Sequence, residues 1–222
     1  MNRSYSRVAG RLGAAQRQAL ACYAHKVVVP TQGGFHDVDP DWRLNAWLRA
    51  VYPQASGSLV LDVGSGHGEA AVDWAAAHPR GVVVAVEVWE EGIADTLRAG
   101  GELANLWVVR ADAAAVLHRA VAPASVSELW TYFPDPWRKA RHAKRRLIQE
   151  AFARDAVRAL APGGVWRIAT DWEDYAAQID AVLVQVTQLR AQDGVRVRPV
   201  THYERRALRA GRAIREWEVR RA

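Results

Sequence analysis

The sequence predicts an α/β fold, a doubly wound and mostly parallel sheet. Three observations predict it: short apolar runs alternate with helical stretches, the first run opens into a glycine-rich turn, and successive runs end on carboxylates.

Residues 1–40 carry Arg3, Arg7, Arg11, Arg17 and Lys26 among Gly10, Gly13, Gly33 and Gly34, without a long amphipathic pattern. They read as a basic amino-terminal arm draped over a domain that occupies 41–222. Trp42, Leu44, Trp47, Leu48 and Val51 fit a lead-in helix. Ser58 to Val63 is the first strand, followed by Gly64-Ser65-Gly66-His67-Gly68 and a helix over Glu69 to His78. Val82–Val86 forms the second strand and ends at Glu87. Leu106–Val109 forms the third and leads to Asp112, while Glu128–Phe133 forms the fourth. Ile148, Phe152, Ala156 and Leu160 recur every four residues on one helix face, and that helix is expected to stop at Pro162-Gly163-Gly164. Val165–Ala169 is the fifth strand, ending at Thr170-Asp171.

The 222 residues suffice for one large domain with a substantial core, and half of them are hydrophobic. A net charge of +6 points to an acidic partner such as nucleic acid or an anionic membrane surface, and composition alone does not choose between them. Cys22 is the only cysteine, which excludes an intrachain disulfide and any thiol-rich zinc site. The start MNRSYSRVAG lacks an apolar signal core, and no apolar run approaches the roughly 20 residues that span a bilayer. A reducing, cytoplasmic compartment is therefore expected, with no membrane association and no metal.

In an open parallel sheet, ligands bind beyond the carboxyl ends of the strands. Here those ends carry Asp62, Glu87, Asp112, Asp135 and Asp171. Such a rim repels a pyrophosphate. It suits a sulfonium cation, a ribose diol and an exocyclic amine, all of which S-adenosylmethionine offers. Gly64, Gly66 and Gly68 form G-x-G-x-G, whereas the dinucleotide fingerprint would place its third glycine at position 69, which is Glu69. An NAD-dependent oxidoreductase would share Glu87, but the glycine spacing and the acidic rim argue against it.

Trp130–Arg146 reads WTYFPDPWRKARHAKRR. Pro134 and Pro136 bracket Asp135, so a strand ends on a carboxylate held in a stiff turn. Behind it stand Arg138, Lys139, Arg141, His142, Lys144, Arg145 and Arg146, a charge density suited to phosphates.

With these motifs in order, the chain resembles the bacterial tRNA (guanine-N7-)-methyltransferase family over nearly its whole length. The likeness rests on Phe133-Pro134-Asp135-Pro136-Trp137, Arg141–Arg146, Ala169-Thr170-Asp171-Trp172-Glu173 with Tyr175, and Arg198-Pro199-Val200-Thr201-His202-Tyr203-Glu204-Arg205. Arg3-Ser4-Tyr5, Gly10-Arg11-Leu12 and Gln16 extend it to the amino terminus. The resemblance implies a Rossmann-like class I methyltransferase fold, S-adenosylmethionine as cofactor and a guanine of the tRNA variable loop as target. It implies cofactor contacts from Asp62, Glu87, Asp112 and Asp135, with Asp135 also catalytic, beside the glycine loop at Gly64 and Gly66. It further implies that Lys139, Asp171, Thr201, His202, Tyr203 and Glu204 meet substrate, and that Arg141, Lys144, Arg145 and Arg146 hold RNA. No protein partner is required, so a monomer or a homodimer is expected. The chain departs from the family pattern at Asp62, Ser65, Ala140, Ala143 and His202, which bears on contacts and affinity more than on the reaction.

Guanine N7 carries a lone pair and no proton, so its methylation requires no general base. Asp135 is accordingly expected to accept hydrogen bonds from the guanine N1–H and 2-amino group, with Asp171 or Glu204, orienting N7 and stabilising the developing charge. The target base must leave its stack at a cost of a few kcal/mol. The basic run and the arginines from Arg205 onward predict steeply salt-dependent tRNA binding. Two other readings remain at this point: another RNA methyltransferase of the same fold, and a non-catalytic RNA-binding protein built on it.

Overall fold

The computed structural model describes residues 11–55, 57–192 and 198–222. Arg3-Ser4-Tyr5, Arg7 and Gly10 lie outside the described residues. The strands are β1 (Val27–Val28), β2 (Leu59–Val63), β3 (Val82–Glu87), β4 (Leu106–Arg110), β5 (Val126–Tyr132), β6 (Leu160–Thr170), β7 (Leu189–Gln192) and β8 (Arg215–Arg221). They form one sheet in the order β1-β4-β3-β2-β5-β6-β8-β7. Pairing is parallel from β1 through β6, and β8 runs antiparallel to both β6 and β7.

The helices are α1 (Ala14–Cys22), α2 (Leu44–Val51), α3 (Glu69–Ala77), α4 (Glu90–Gly100), α5 (Ala113–Arg119), α6 (Glu150–Ala159), α7 (Glu173–Val184) and α8 (His202–Arg209). They cover the sheet from two sides because the central strands are apolar on both faces. Leu59, Leu61 and Val63 of β2 join Leu44, Leu117, Phe152 and Ile179 from α2, α5, α6 and α7. Val60 of the same strand joins Ala19, Ala71 and Leu97 from α1, α3 and α4. Period-2 alternation thus divides one strand between two cores.

Two expectations are corrected. Within residues 11–40 the chain is built into the domain: Ala19 of α1 joins the core under α4, and β1 pairs with β4 at the sheet edge. The buried Lys26 is held there by the carbonyls of Leu103 and Ala104. The second correction concerns Pro162-Gly163-Gly164. Helix α6 ends at Ala159, and β6 begins at Leu160 opposite Val126. Val126 pairs with Leu160 but Glu128 pairs with Val165, so the Pro-Gly-Gly segment is a bulge inside the strand. Proline and glycine weaken a ladder without preventing hydrogen bonding on either side of a bulge.

The sheet order places the site. From β2 the chain proceeds outward through β3 and β4, then crosses back so that β5 lies on the other side of β2. The crevice at such a switch point is where open α/β sheets bind ligands. The glycine loop follows β2 and the Phe133–Trp137 turn follows β5, so the two face each other across it.

Candidate active site

The turn after β5 is backbone-strained on both sides of the carboxylate. Phe133 and Trp137 hold φ of 51° and 44°, a left-handed region uncommon for residues with a Cβ. Pro134 and Pro136 fix their own φ between them. The Phe133 amide donates to the Ala169 carbonyl at 2.8 Å, anchoring the turn to the end of β6. Asp135 is thereby placed where two cavities meet.

The first cavity, of about 300 Å³, lies at the switch point. Its wall is apolar along Val63, Val86, Val88, Trp89, Ala111 and Leu147 and polar elsewhere, and its carboxylates are Glu87 and Asp135. The second, of about 310 Å³, opens on the other side of the turn. Asp135, Trp137, Arg138, Asp171, Tyr203, Arg206 and Arg212 line it. Phe133, Asp135, Tyr203 and Arg206 border both.

Glu87 organises the glycine loop. Its Oε2 accepts from the Gly66 amide at 2.8 Å, and its Oε1 accepts from Val88 and Trp89 amides at 2.7 and 3.0 Å. Its pKa is raised by burial, which outweighs these three donors; Asp135 pushes it in the same direction. A carboxylate has about four acceptor positions, so with three filled Glu87 retains about one, enough for a ribose hydroxyl.

Asp62 is 2 % exposed, with its Oδ2 unpaired. It borders a narrow cleft with Ser65, Glu69, Tyr132 and Tyr203 rather than the larger cavity. Burial, then Glu87, pushes its pKa up to about 7. Asp112 caps α5, its carboxylate accepting from the Ala115 amide at 3.1 Å, while its own amide donates to Phe35 at 2.7 Å. Its neighbours Ala111 and Ala113 line the first cavity. Gly64 has φ of 72°, and a Cβ there would stand in open space.

The segment before and within α8 closes over the loop. Thr201 is its N-cap, accepting from the Glu204 amide at 3.3 Å. The His202 amide and the Arg205 guanidinium both donate to Glu69 at the start of α3. The His202 ring lies 4.7 Å from that of His67, centroid to centroid. Burial, then His67, lowers the His202 pKa, favouring the neutral ring. Glu204 turns inward: it is 2 % exposed and bound to Arg198, which also meets Glu216 and packs on the rings of Tyr132 and Phe133. Thr201 and Glu204 therefore brace the wall, whereas Tyr203 borders the cavities.

The basic run folds as a 3₁₀ segment, Ala140–Arg145, with Arg138, Lys139, Arg141, Lys144 and Arg145 exposed. Arg138 lies over Trp172 at 4.7 Å and Arg145 over Trp137 at 5.0 Å. Arg146 departs from its neighbours. It is 4 % exposed and donates to the Pro136 carbonyl, Gln178 and Asp174, so it fastens the Asp135 turn to α7 and leaves the solvent-facing basic set. Asp171 accepts from Arg212 Nε at 2.6 Å in the second cavity. Trp89, Leu147, Arg206 and Arg212 join the lining of these cavities although none stands in a motif that marks it as a lining residue. The i, i+3 spacing of Tyr203 and Arg206 was the available signal for one of them.

The residues fit S-adenosylmethionine. The first cavity joins apolar side chains and two glycines to the carboxylates of Glu87 and Asp135, and in the narrow cleft beside it the orphaned buried oxygen of Asp62 calls for a donor or cation. Among the described residues, no group of three His, Cys, Asp or Glu could hold a metal, and no helix is long and apolar enough to cross a membrane.

Comparison with known proteins agrees with this architecture. Residues 56–217 match a family described as a putative methyltransferase. The chain is 43% identical over 222 residues to the tRNA (guanine-N(7)-)-methyltransferase of Nocardioides sp., spanning 98% of this chain and 86% of that protein. It is 38% identical over 224 residues to the Thiobacillus denitrificans protein of the same name, covering 98% and 93%. In fold it resembles the 16S rRNA methyltransferase KamB at a TM-score of 0.58 and 18% identity, covering 88% of this chain and 98% of that one. A SAM-dependent methyltransferase from Aquifex aeolicus superposes at 0.50 with 16% identity, over 83% and 90% of the two chains. With a carboxylate turn at the switch point, a matched family spanning most of the chain and near full-length relatives, this chain belongs to the tRNA (guanine-N7-)-methyltransferase family.

Proposed function

We propose that this protein transfers a methyl group from S-adenosylmethionine to N7 of a guanine in the variable loop of tRNA. The observation that carries the reading is the position of Asp135 on the border of two cavities, one beside the glycine loop and one beside the exposed arginines. The relatives' shared name supports the substrate, and the exposed basic run supports RNA.

Gly64 and Gly66 let the backbone approach the cofactor, Glu87 offers its remaining acceptor capacity to the ribose, and Asp62 and Asp112 complete the acidic surround. The bound cofactor supplies an electrophilic methyl on a sulfonium, which leaves as a neutral thioether when the N7 lone pair forms the new C–N bond. Asp135 accepts from the guanine N1–H and 2-amino group, with Asp171 in the lining of the second cavity, so that N7 points toward the first. Its charge also favours the cationic purine that forms. Tyr203 borders the base, while Thr201, His202 and Glu204 hold α8 in place. Lys139, Arg141, Lys144 and Arg145 grip backbone phosphates. The enzyme works in the cytoplasm with its tRNA, as a monomer or homodimer.

The test is incubation with methyl-labelled S-adenosylmethionine and unmodified tRNA, digestion to nucleosides and identification of the labelled product. Label in 7-methylguanosine, mapped to the variable loop by cleavage at the modified base, is expected. Label in another nucleoside, or none with cofactor bound, overturns the reading.

A further inference from the structure

We infer that Arg206 is a specificity-determining residue that donates to O6 of the target guanine; this rests on the guanine-N7 reading above. N7 and O6 are adjacent acceptors on one edge of guanine. If N7 faces the first cavity, O6 lies at the boundary between the two cavities, and N1–H follows deeper in the second. The donor for O6 must therefore border both.

Four residues do: Phe133, Asp135, Tyr203 and Arg206. Phe133 has no side-chain donor, and an ionised Asp135 only accepts. Tyr203 has a hydroxyl, but its ring is packed against the glycine loop, with Cε2 2.7 Å from where a Gly66 Cβ would stand. Arg206 brings five N–H donors. It lies one helical turn beyond Tyr203 on α8 and shares its face, whereas Glu204 and Ala207 are buried.

The other arginines nearby are engaged. Arg212 is held by Asp171, Arg205 by Glu69, Arg198 by Glu204 and Glu216, and Arg138 lies over Trp172. Arg206 is exposed, and its guanidinium has no hydrogen-bond or ion-pair partner among the described residues. A cation at the junction also rejects adenine, which presents its N6 amino donor where guanine presents O6.

The experiment compares wild type and Arg206→Met on two synthetic tRNAs, one with guanosine and one with 6-thioguanosine at the target. Sulfur is a weak acceptor, while N7, N1–H and the 2-amino group are retained. Wild type is expected to lose about 10-fold to 100-fold in kcat/KM on the thio substrate. Arg206→Met should lose a comparable factor on guanosine and discriminate less than about 2-fold between the two substrates, the limit set by the double-mutant logic. Wild-type discrimination retained in the variant, with both substrates slowed equally and a salt slope lower by about one, assigns Arg206 to a phosphate and overturns the proposal. Equal wild-type rates on the two substrates overturn it as well. Absence of 7-methylguanosine with wild type on the guanosine tRNA instead removes the underlying reading. Melting temperature and S-adenosylhomocysteine binding of Arg206→Met establish that the variant is folded.

Discussion

The Tyr203 ring covers the Gly66 backbone so closely that a Cβ on Gly66 would fall 2.7 Å from Tyr203 Cε2. Gly66 also has φ of 58° and donates its amide to Glu87 at 2.8 Å. A side chain there meets left-handed strain and displaces the tyrosine at the same time. Gly66→Val is expected to cost about 1–3 kcal/mol of stability, and to weaken S-adenosylhomocysteine binding by at least about 10-fold. Calorimetric melting and titration measure both, and unaltered affinity would refute the loop's role.

Asp62 should make the ligand-free protein less stable as pH rises. Its folded pKa, near 7, lies above the unfolded value, so between about pH 4 and 7 the folded state binds the extra proton. Unfolding free energy falls across that window, and the full penalty applies above it. Asp62→Asn is therefore expected to stabilise the ligand-free protein by about 2–4 kcal/mol at pH 8, with the gain disappearing below about pH 4. The same substitution should weaken cofactor binding, because the orphaned carboxylate oxygen no longer offers a charge. Denaturant titrations of both proteins at pH 4.0, 6.0 and 8.0, values chosen about the window, decide it; a difference independent of pH contradicts it.

Arg141 and Arg146 should behave oppositely despite their proximity in sequence. Arg141→Ala is expected to leave the melting temperature unchanged and to reduce the salt slope of tRNA binding by about one. Arg146→Ala removes donors to Pro136, Gln178 and Asp174 from a buried position. It is expected to lower stability by about 2–4 kcal/mol. Filter binding across a salt series and thermal melts separate the two outcomes.

Asp135→Asn should reduce kcat at least about 100-fold, while S-adenosylhomocysteine affinity changes by less than about 5-fold because most of the first cavity's lining remains. An amide can still accept one hydrogen bond but presents a donor to N1–H and lacks the charge that favours the cationic purine. Near-normal turnover would remove Asp135 from the reaction. An equally large loss of cofactor affinity would move it to the binding step.

Local order carried the sequence reading a long way. Valine-rich runs were legible as strands because residues buried on both faces leave little polar alternation, and the carboxylates closing those runs share one side of the sheet because parallel strands point the same way. The glycine loop, Asp135 between two prolines and the five acidic strand ends follow from residue type and spacing alone.

Only the tertiary structure decided which charges face water and which are structural. Arg141 and Arg146 look alike in a basic run, but α7 supplies Asp174 and Gln178 to one of them. Glu204 reads as a substrate ligand until Arg198 is found beside it, and Lys26 reads as part of a loose arm until two carbonyls from beyond α4 enclose it. Arg206 gains its place at the junction from the docking of α8 across the switch point. Composition and periodicity report the preference of a segment for burial, whereas the partner that satisfies a buried charge comes from a distant segment, and its position is set by packing.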